Sequence, residues 1–351
     1  MLTELLLLCR PGFEKECAGE IMALASEQQF PAYIQTTDNS GVVRLVSSSG
    51  QAATGLFEQI GFRRLIFARQ WFAAGGETRL PEDNRLPDIL QGIKDFATEI
   101  CDIELCYADT NEGKALNKFC RQFRPHLLAA LKKQRLLSAH SPWRLHLFFH
   151  DSTHVRIGLA PVDNSSPYAM GIPRLKMPAG APSRSTLKLD EAIQWFLSRK
   201  QQEKLFKNGM HAVDLGAAPG GWSWQLVQRG LLVTAIDNGP MQDALMKTGM
   251  VEHYRNDAFT FAPKKTVDWL VCDMAERPLH VSRLIARWFS QGLCRHAIFN
   301  LKLPMKKRLA SVQECIALLE QSLKQAGIDY RIQAKQLYHD REEITVCITT
   351  V

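Results

Sequence analysis

With 351 residues, 46% hydrophobic and 23% charged, the chain has the composition of an ordinary globular protein and enough length for two or three cores, which excludes a disordered or low-complexity class. Forty-three basic against 36 acidic side chains leave a net charge of +7, an excess that suits an RNA partner as well as a plain solvated surface. Nine cysteines run from Cys9 to Cys347, an odd number with no Cys-x-x-Cys pair. They read as reduced thiols of a cytoplasmic protein; Cys101, Cys106 and Cys120 lack a fourth partner, and no metal is assigned.

The chain opens with an apolar run, Leu2 to Cys9, predicted as a buried strand. Its unbroken leucine run, Leu5 to Leu8, is too short for a signal peptide or a membrane span, and Arg10 and Pro11 stop it. A helix from Phe13 to Ser26 follows, then strands at Ala32–Gln35 and Gly41–Val46, a helix at Ala52–Ile60 and a strand at Arg64–Phe72, the β-α-β-β-α-β order of a ferredoxin-like unit (1–75). The polar stretch from Ala73 to Arg85 is expected to separate it from a second small α/β unit (76–160). That unit has a helix at Pro87–Ile100, a strand at Asp102–Tyr107, a long helix at Gly113–Leu137 and strands at Trp143–Phe149 and His154–Leu159. On the long helix Lys114, Lys118 and Arg121 share a face on which a phosphate backbone fits, and Pro125 is expected to kink or divide it. His146, His150 and His154 alternate in strand-like sequence and read as sheet residues. Prolines and glycines make 161–182 a linker or an ordered arm.

The remainder, 183–351, alternates strand and helix. Strands are predicted at His211–Asp214, Leu231–Asp237, Val267–Asp273 and Ala297–Leu303, and after a helix at Ser311–Gln325 two more follow at Tyr330–Gln336 and Glu343–Thr350. The first strand runs into Gly216, Ala218, Pro219, Gly220 and Gly221 and then into a helix, a loop that lets backbone approach a ligand closely. Asp237 lies about 20 residues beyond Asp214, the spacing of a carboxylate that accepts from ribose hydroxyls. The loop has no Gly-x-Gly-x-x-Gly and no cation to hold a pyrophosphate, so a neutral or cationic adenosine ligand, S-adenosylmethionine, fits it better. Asp257, with Phe259 beside it, is placed to accept from an adenine amino group. Asp273 and Lys302 fall at later strand ends. A buried Lys302, with the ammonium of Lys188 and a sulfonium nearby, is expected to drop from roughly 10.4 towards about 7–8 and serve as a general base, oriented by Asp273.

Three stretches and a fourth contain more specific information: Ser183 to Asp190 (Ser-Arg-Ser-Thr-Leu-Lys-Leu-Asp), Asp214 to Ser223 (Asp-Leu-Gly-Ala-Ala-Pro-Gly-Gly-Trp-Ser), Val271 to Met274, and Leu301-Lys302-Leu303. Together they resemble the ordered motifs of FtsJ-type ribose 2′-O-methyltransferases. The resemblance implies a Rossmann-like class I methyltransferase domain with a Lys-Asp-Lys-Glu tetrad at Lys188, Asp273, Lys302 and Glu343, with Glu342 and His339 competing for the last place. It also implies S-adenosylmethionine contacts at Ser185, Ala218, Pro219, Gly220, Gly221, Asp237, Asp257 and Asp273. The amino-terminal half, including Leu7 to Glu16, resembles the ferredoxin-like plus THUMP arrangement of RNA-modifying enzymes. The whole chain is similar to the large-subunit ribosomal RNA methyltransferase M family, which implies 2′-O-methylation of a cytidine in 23S rRNA, free or in a precursor particle, by a cytoplasmic monomer. Asp273-Met-Ala-Glu stands where a base N-methyltransferase has Asn/Asp-Pro-Pro-aromatic, and Cys272 reads as core rather than as a C5-methyltransferase nucleophile. A tRNA or base methyltransferase and a non-catalytic rRNA-binding assembly factor remain the alternatives.

Overall fold

The leucine run is the centre of the first sheet. β1 (Glu4–Cys9) is buried along its whole length, as a strand covered on both faces must be. In the computed structural model, which describes residues 1–95 and 99–350, the chain divides into two units, 1–173 and 174–351.

In the first unit β1 is followed by α1 (Glu14–Glu27), β2 (Ala32–Thr36), β3 (Val42–Ser47), α2 (Leu56–Gln59) and β4 (Ala68–Arg79). The strand order β2-β3-β1-β4 is that of a ferredoxin-like unit. Two buried glutamates staple its loops. Glu14 accepts from the amides of Gly12 and Gly41, and Glu20 from those of Ile66 and Phe67. The helix expected at 52–60 is reduced to a 3-10 turn and the single helical turn α2, and 62–64 form another 3-10 turn where a strand is predicted to begin.

The strand predicted to end at Phe72 is longer than expected. β4 runs on to Arg79 through most of the polar stretch, with Gly75 and Gly76 accommodating a shift of register rather than ending the strand. Then come α3 (Leu86–Lys94), β5 (Asp102–Cys106), α4 (Asn111–Ala115), α5 (Asn117–Lys133), β6 (Trp143–Phe149) and β7 (His154–Pro161). β7 pairs antiparallel with β4, so both predicted units share one seven-stranded sheet, β2-β3-β1-β4-β7-β6-β5. Residues 96–98 of the helix expected at 87–100 lie outside the described residues. The long helix divides at Leu116, where α4, capped by the Thr110 hydroxyl on the Gly113 amide, gives way to α5; Pro125 lies within α5.

The segment that follows β7 packs on the first unit. Ser166 exchanges two hydrogen bonds with the Gln70 amide, Arg144 donates to the Ser166 carbonyl at 2.8 Å, and Glu104 accepts from the Met170 amide at 2.5 Å. Residues 174–182 belong to the second unit. Near that latch Glu104, Cys106 and His146 form a buried polar cluster; Glu104 also meets Gln70 at 3.4 Å, and the Cys106 thiol faces the Leu147 carbonyl at 3.5 Å. His150 and His154 lie outside that cluster, around the β6–β7 turn.

The second unit contains α6 (Thr186–Phe196), α7 (Arg199–Leu205), β8 (His211–Leu215), α8 (Gly221–Val227), β9 (Leu232–Ile236), α9 (Asp243–Met246) and β10 (Val251–Tyr254). β11 (Val267–Cys272), α10 (Pro278–Ser290), β12 (Cys294–Lys302), α11 (Arg308–Gln325), β13 (Tyr330–Lys335) and β14 (Glu343–Thr350) complete it. The sheet order is β10-β9-β8-β11-β12-β14-β13, with the first five strands parallel and β14 antiparallel to both neighbours. Five parallel strands put five carboxyl ends at one edge. The reversed β14 brings its amino end, Glu343, to that same edge. β10, which the sequence does not announce, is a four-residue edge strand with two exposed side chains and so lacks a hydrophobic run.

Candidate active site

The strand order turns back on itself between β8 and β11, the place where open α/β sheets leave a crevice beyond the strand ends. Into this crevice β8 delivers Asp214 and the loop from Gly216 to Gly220. Gly220 has φ +111°, in the left-handed region, and caps α8. Gly221 is required by proximity: a Cβ there would lie 2.2 Å from Ser185 Oγ and 2.6 Å from Ser183 Oγ. Ser185, just ahead of α6, shares a 2.7 Å hydroxyl contact with Ser183 and so lies against the start of α8.

Asp237, at the end of β9, turns one carboxylate oxygen to the Ala218 amide (3.0 Å) and the other to the Gly239 amide (2.7 Å), tying the loop around Pro219 to the neighbouring strand. Asp257 is exposed beyond β10. Its Oδ1 accepts from the Phe259 amide at 2.9 Å, and Arg287 fixes the Phe259 carbonyl at 2.6 Å. Asp214 is buried and accepts from the Ser223 hydroxyl at 2.6 Å, while its Oδ1 has no hydrogen-bond partner among the described residues. Burial pushes its carboxyl up to about 7, against the hydrogen bonds from Ser223.

Four side chains close into a ring of alternating charge. Lys188, in the first turn of α6, reaches Asp273 Oδ2 at 3.2 Å and also contacts Glu343 Oε1. Lys302, the last residue of β12, reaches Asp273 Oδ1 at 2.6 Å and contacts Glu343 Oε2. The antiparallel register sets Lys302 directly opposite Glu343, so the strand pairing itself brings the last two together. Glu343 is the most enclosed of the four, with 5% of its side chain exposed, and Lys302 the most open, at 28%. The competitors lie elsewhere: His339 is held by Glu191, which also accepts from the Tyr338 amide, and Glu342 pairs with Arg308 at 2.6 Å.

The expected fall in the Lys302 pKa is not found. Burial lowers it, but the charges and hydrogen bonds of Asp273 and Glu343 outweigh burial and raise it above the ordinary lysine value. The second anion, Glu343, offsets the second cation, Lys188.

Behind the ring is a group of residues that sequence reasoning missed. The Asn300 amide donates to Asp273 Oδ1 at 2.9 Å, Thr345 donates to Asn300 Oδ1 at 2.7 Å, and the Thr345 hydroxyl lies 3.0 Å from the buried Asp340. Burial and the nearby Glu343 and Glu191 raise the Asp340 pKa well above the carboxylate range. Asn300 and Thr345 stand two residues from Lys302 and Glu343 on their strands, hence on the same faces, which is the signal that would have found them.

Three family models match the chain: an RlmM ferredoxin-like domain over 2–72, a Ribosomal RNA large subunit methyltransferase M amino-terminal domain over 84–161, and an FtsJ-like methyltransferase over 181–323. The Ribosomal RNA large subunit methyltransferase M of Cellvibrio japonicus is 48% identical across 98% of each chain. That of Edwardsiella ictaluri is 48% identical across all of this chain and 95% of its own, and that of Yersinia enterocolitica 46% identical across all of this chain and 97% of its own. Domain by domain and over its full length, the chain belongs to the ribosomal RNA large subunit methyltransferase M family.

Proposed function

We propose that the protein transfers a methyl group from S-adenosylmethionine to the 2′-oxygen of a cytidine ribose in 23S rRNA, working as a cytoplasmic monomer with Lys302 as general base. The observation that supports this best is the Lys188–Asp273–Lys302–Glu343 ring at the carboxyl edge of the second sheet, beside the glycine loop.

The donor set fits the cofactor. A loop without cations, next to carboxylates on successive strand ends, suits neutral sugar hydroxyls and a positive sulfonium better than a pyrophosphate. Ser185, Ala218, Pro219, Gly220, Gly221, Asp237, Asp257 and Asp273 would hold it, and when bound it supplies an electrophilic methyl on a cationic sulfur. The chain's own residues manage the proton. The neutral Lys302 amine would accept it from the 2′-hydroxyl as that oxygen takes the methyl group and the donor's carbon–sulfur bond breaks, leaving a neutral thioether. Asp273 and Glu343 hold the resulting ammonium, and Lys188 stops the two carboxylates from repelling each other. Because those carboxylates raise the Lys302 pKa, the lysine is an ammonium at neutral pH in the free protein and becomes a base only as that proton is lost.

The exposed cations of α5, Lys118 and Arg121, give the first unit a face for the RNA backbone, although Lys114 is partly engaged with Asp109 at 3.3 Å. The test is transfer of labelled methyl to protein-free 23S rRNA lacking the modification and to precursor large-subunit particles, comparing wild type with Lys302→Ala and mapping the product by ribose-sensitive primer extension. One cytidine 2′-oxygen labelled only by the wild type is expected. Labelling of a base or of tRNA, or equal labelling by the variant, would contradict the reading.

A further inference from the structure

The segment that leaves β12 immediately after the ring has a construction the reaction does not use. Leu303 is buried and Arg308 nearly so, but Pro304, Met305, Lys306 and Lys307 between them are all exposed. Met305 is 94% exposed, the most solvent-exposed large hydrophobic side chain among the described residues. Lys306 and Lys307 make no ion pair among the described residues. The acid closest in the chain register, Glu342, is already matched by Arg308.

This loop is held at both ends by one residue. The Leu303 amide donates to the Glu342 carbonyl at 2.7 Å, and the Glu342 carboxylate takes the Arg308 guanidinium at 2.6 Å. Lys307 adopts φ +56°, a left-handed conformation that is uncommon for a non-glycine residue and persists because the surroundings fix it. Two unmatched cations flank an unburied thioether on a pinned turn that begins one residue after Lys302. A single exposed apolar side chain needs no explanation, but this combination has the shape of a contact.

We propose that the 303–308 loop docks the RNA strand flanking the target ribose, with Met305 against the face of an adjacent base and Lys306 and Lys307 on neighbouring phosphates; this rests on the RNA-methylating reading above. Single-stranded RNA offers both halves of the match, phosphates at regular spacing and flat apolar faces for a polarizable sulfur. Wedge-like apolar side chains that part neighbouring bases work in the same way. Glu342 becomes a positioning residue for the loop, which explains an acid beside Glu343 that takes no part in the ring.

The experiment measures the dissociation constant of full-length protein for unmodified, protein-free 23S rRNA across a series of KCl concentrations, with methyl transfer recorded in parallel. The variants are Met305→Ala, Met305→Leu, and the double change Lys306→Ala with Lys307→Ala. Two phosphate contacts on single-stranded RNA predict that the double variant flattens the log-log salt slope by about 1.4, roughly 0.7 per lysine. Met305→Ala is expected to weaken binding about tenfold, the lower range for losing one base contact, and Met305→Leu to recover most of it. Cofactor affinity, read by calorimetry, stays at the wild-type value in all three and excludes a general loss of fold. Unchanged RNA affinity and salt slope in the alanine variants would overturn the inference. Wild-type RNA binding with no methyl transfer to either protein-free rRNA or precursor particles would instead overturn the reading on which it rests, while the binding comparison still decides the role of the loop.

Discussion

At the scale of single residues the ring makes a prediction whose sign can be worked out. With Lys302 as the proposed base the active form is its neutral amine, and its pKa is raised by two facing carboxylates, so turnover should climb with pH until that pKa is reached. Asp273→Asn removes a carboxylate 2.6 Å from the amine, so the midpoint of its profile should move to lower pH, even though loss of orientation lowers its maximum. A midpoint unmoved in Asp273→Asn would argue that Lys302 is not the titrating base. Lys302→Ala should cost about 10²–10⁴ in kcat where the wild-type amine is neutral, the usual worth of a general base, with the deficit shrinking as pH falls and the wild-type amine is protonated. Asp214 gives a second signed case. Its carboxyl titrates near 4 when unfolded and at about 7 when folded, so the native state holds the proton more tightly. The stability this group contributes is complete below about pH 4 and is lost as pH rises to about 7. Asp214→Asn, which can still accept from Ser223, should therefore gain Tm over the wild type progressively between those values and hold the gain above them. A difference in Tm independent of pH would show that burial is not what governs this group. The fourth member of the ring shows the limit of reading at this scale: Glu342 and Glu343 are chemically identical neighbours, and alternation along a strand sends them to opposite faces. Only the register of β12 against β14 selects Glu343.

At the scale of elements, what could be read followed the strength of the local pattern. β1, β8, β11 and β12 have apolar runs bounded by charge or glycine, and they were legible with boundaries close to those observed. α2 and β10 were misread or unseen because four residues cannot express a period, and β10 has water on one side. β4 was cut short for a different reason: its polar extension from Glu77 to Arg79 is stabilised by pairing with β7, some 80 residues away, a partner no local window contains. The glycine loop was read as a ligand loop, and its part in packing was not legible in the sequence. Gly221 brings α8 against the residues that open α6, and Gly221→Ala would drive a methyl group to 2.2 Å from Ser185 Oγ. That overpacking should cost about 1–3 kcal/mol in chemical denaturation and weaken S-adenosylmethionine binding together, since both depend on the same contact. Loss of one without the other would separate the packing function from the ligand function.

For the whole molecule, the odd cysteine count and the absence of Cys-x-x-Cys pointed to thiols used as small hydrophobic side chains, and eight of the nine are buried, with Cys101 partly open. Burial pushes the Cys120, Cys272 and Cys347 thiols up to about 12 and raises those of Cys106 and Cys294 as well. The thiolate is the nucleophile, so these groups are both enclosed and in the wrong protonation state for alkylation at pH 8. They are distributed through both units: Cys9, Cys17, Cys106 and Cys120 in the first, Cys272, Cys294, Cys315 and Cys347 in the second. Thiol labelling therefore reports on the two cores separately without any engineered probe. Iodoacetamide at pH 8 should modify about one thiol of the native protein, Cys101, within the time that denaturant exposes all nine, with peptide mapping to identify each. In graded denaturant, simultaneous labelling of Cys120 and Cys272 would mean that the two units open as one cooperative structure. Labelling of one set well before the other would mean that each stands on its own core, and rapid native labelling of Cys272 would contradict the closed strand that places Asp273 one residue further on.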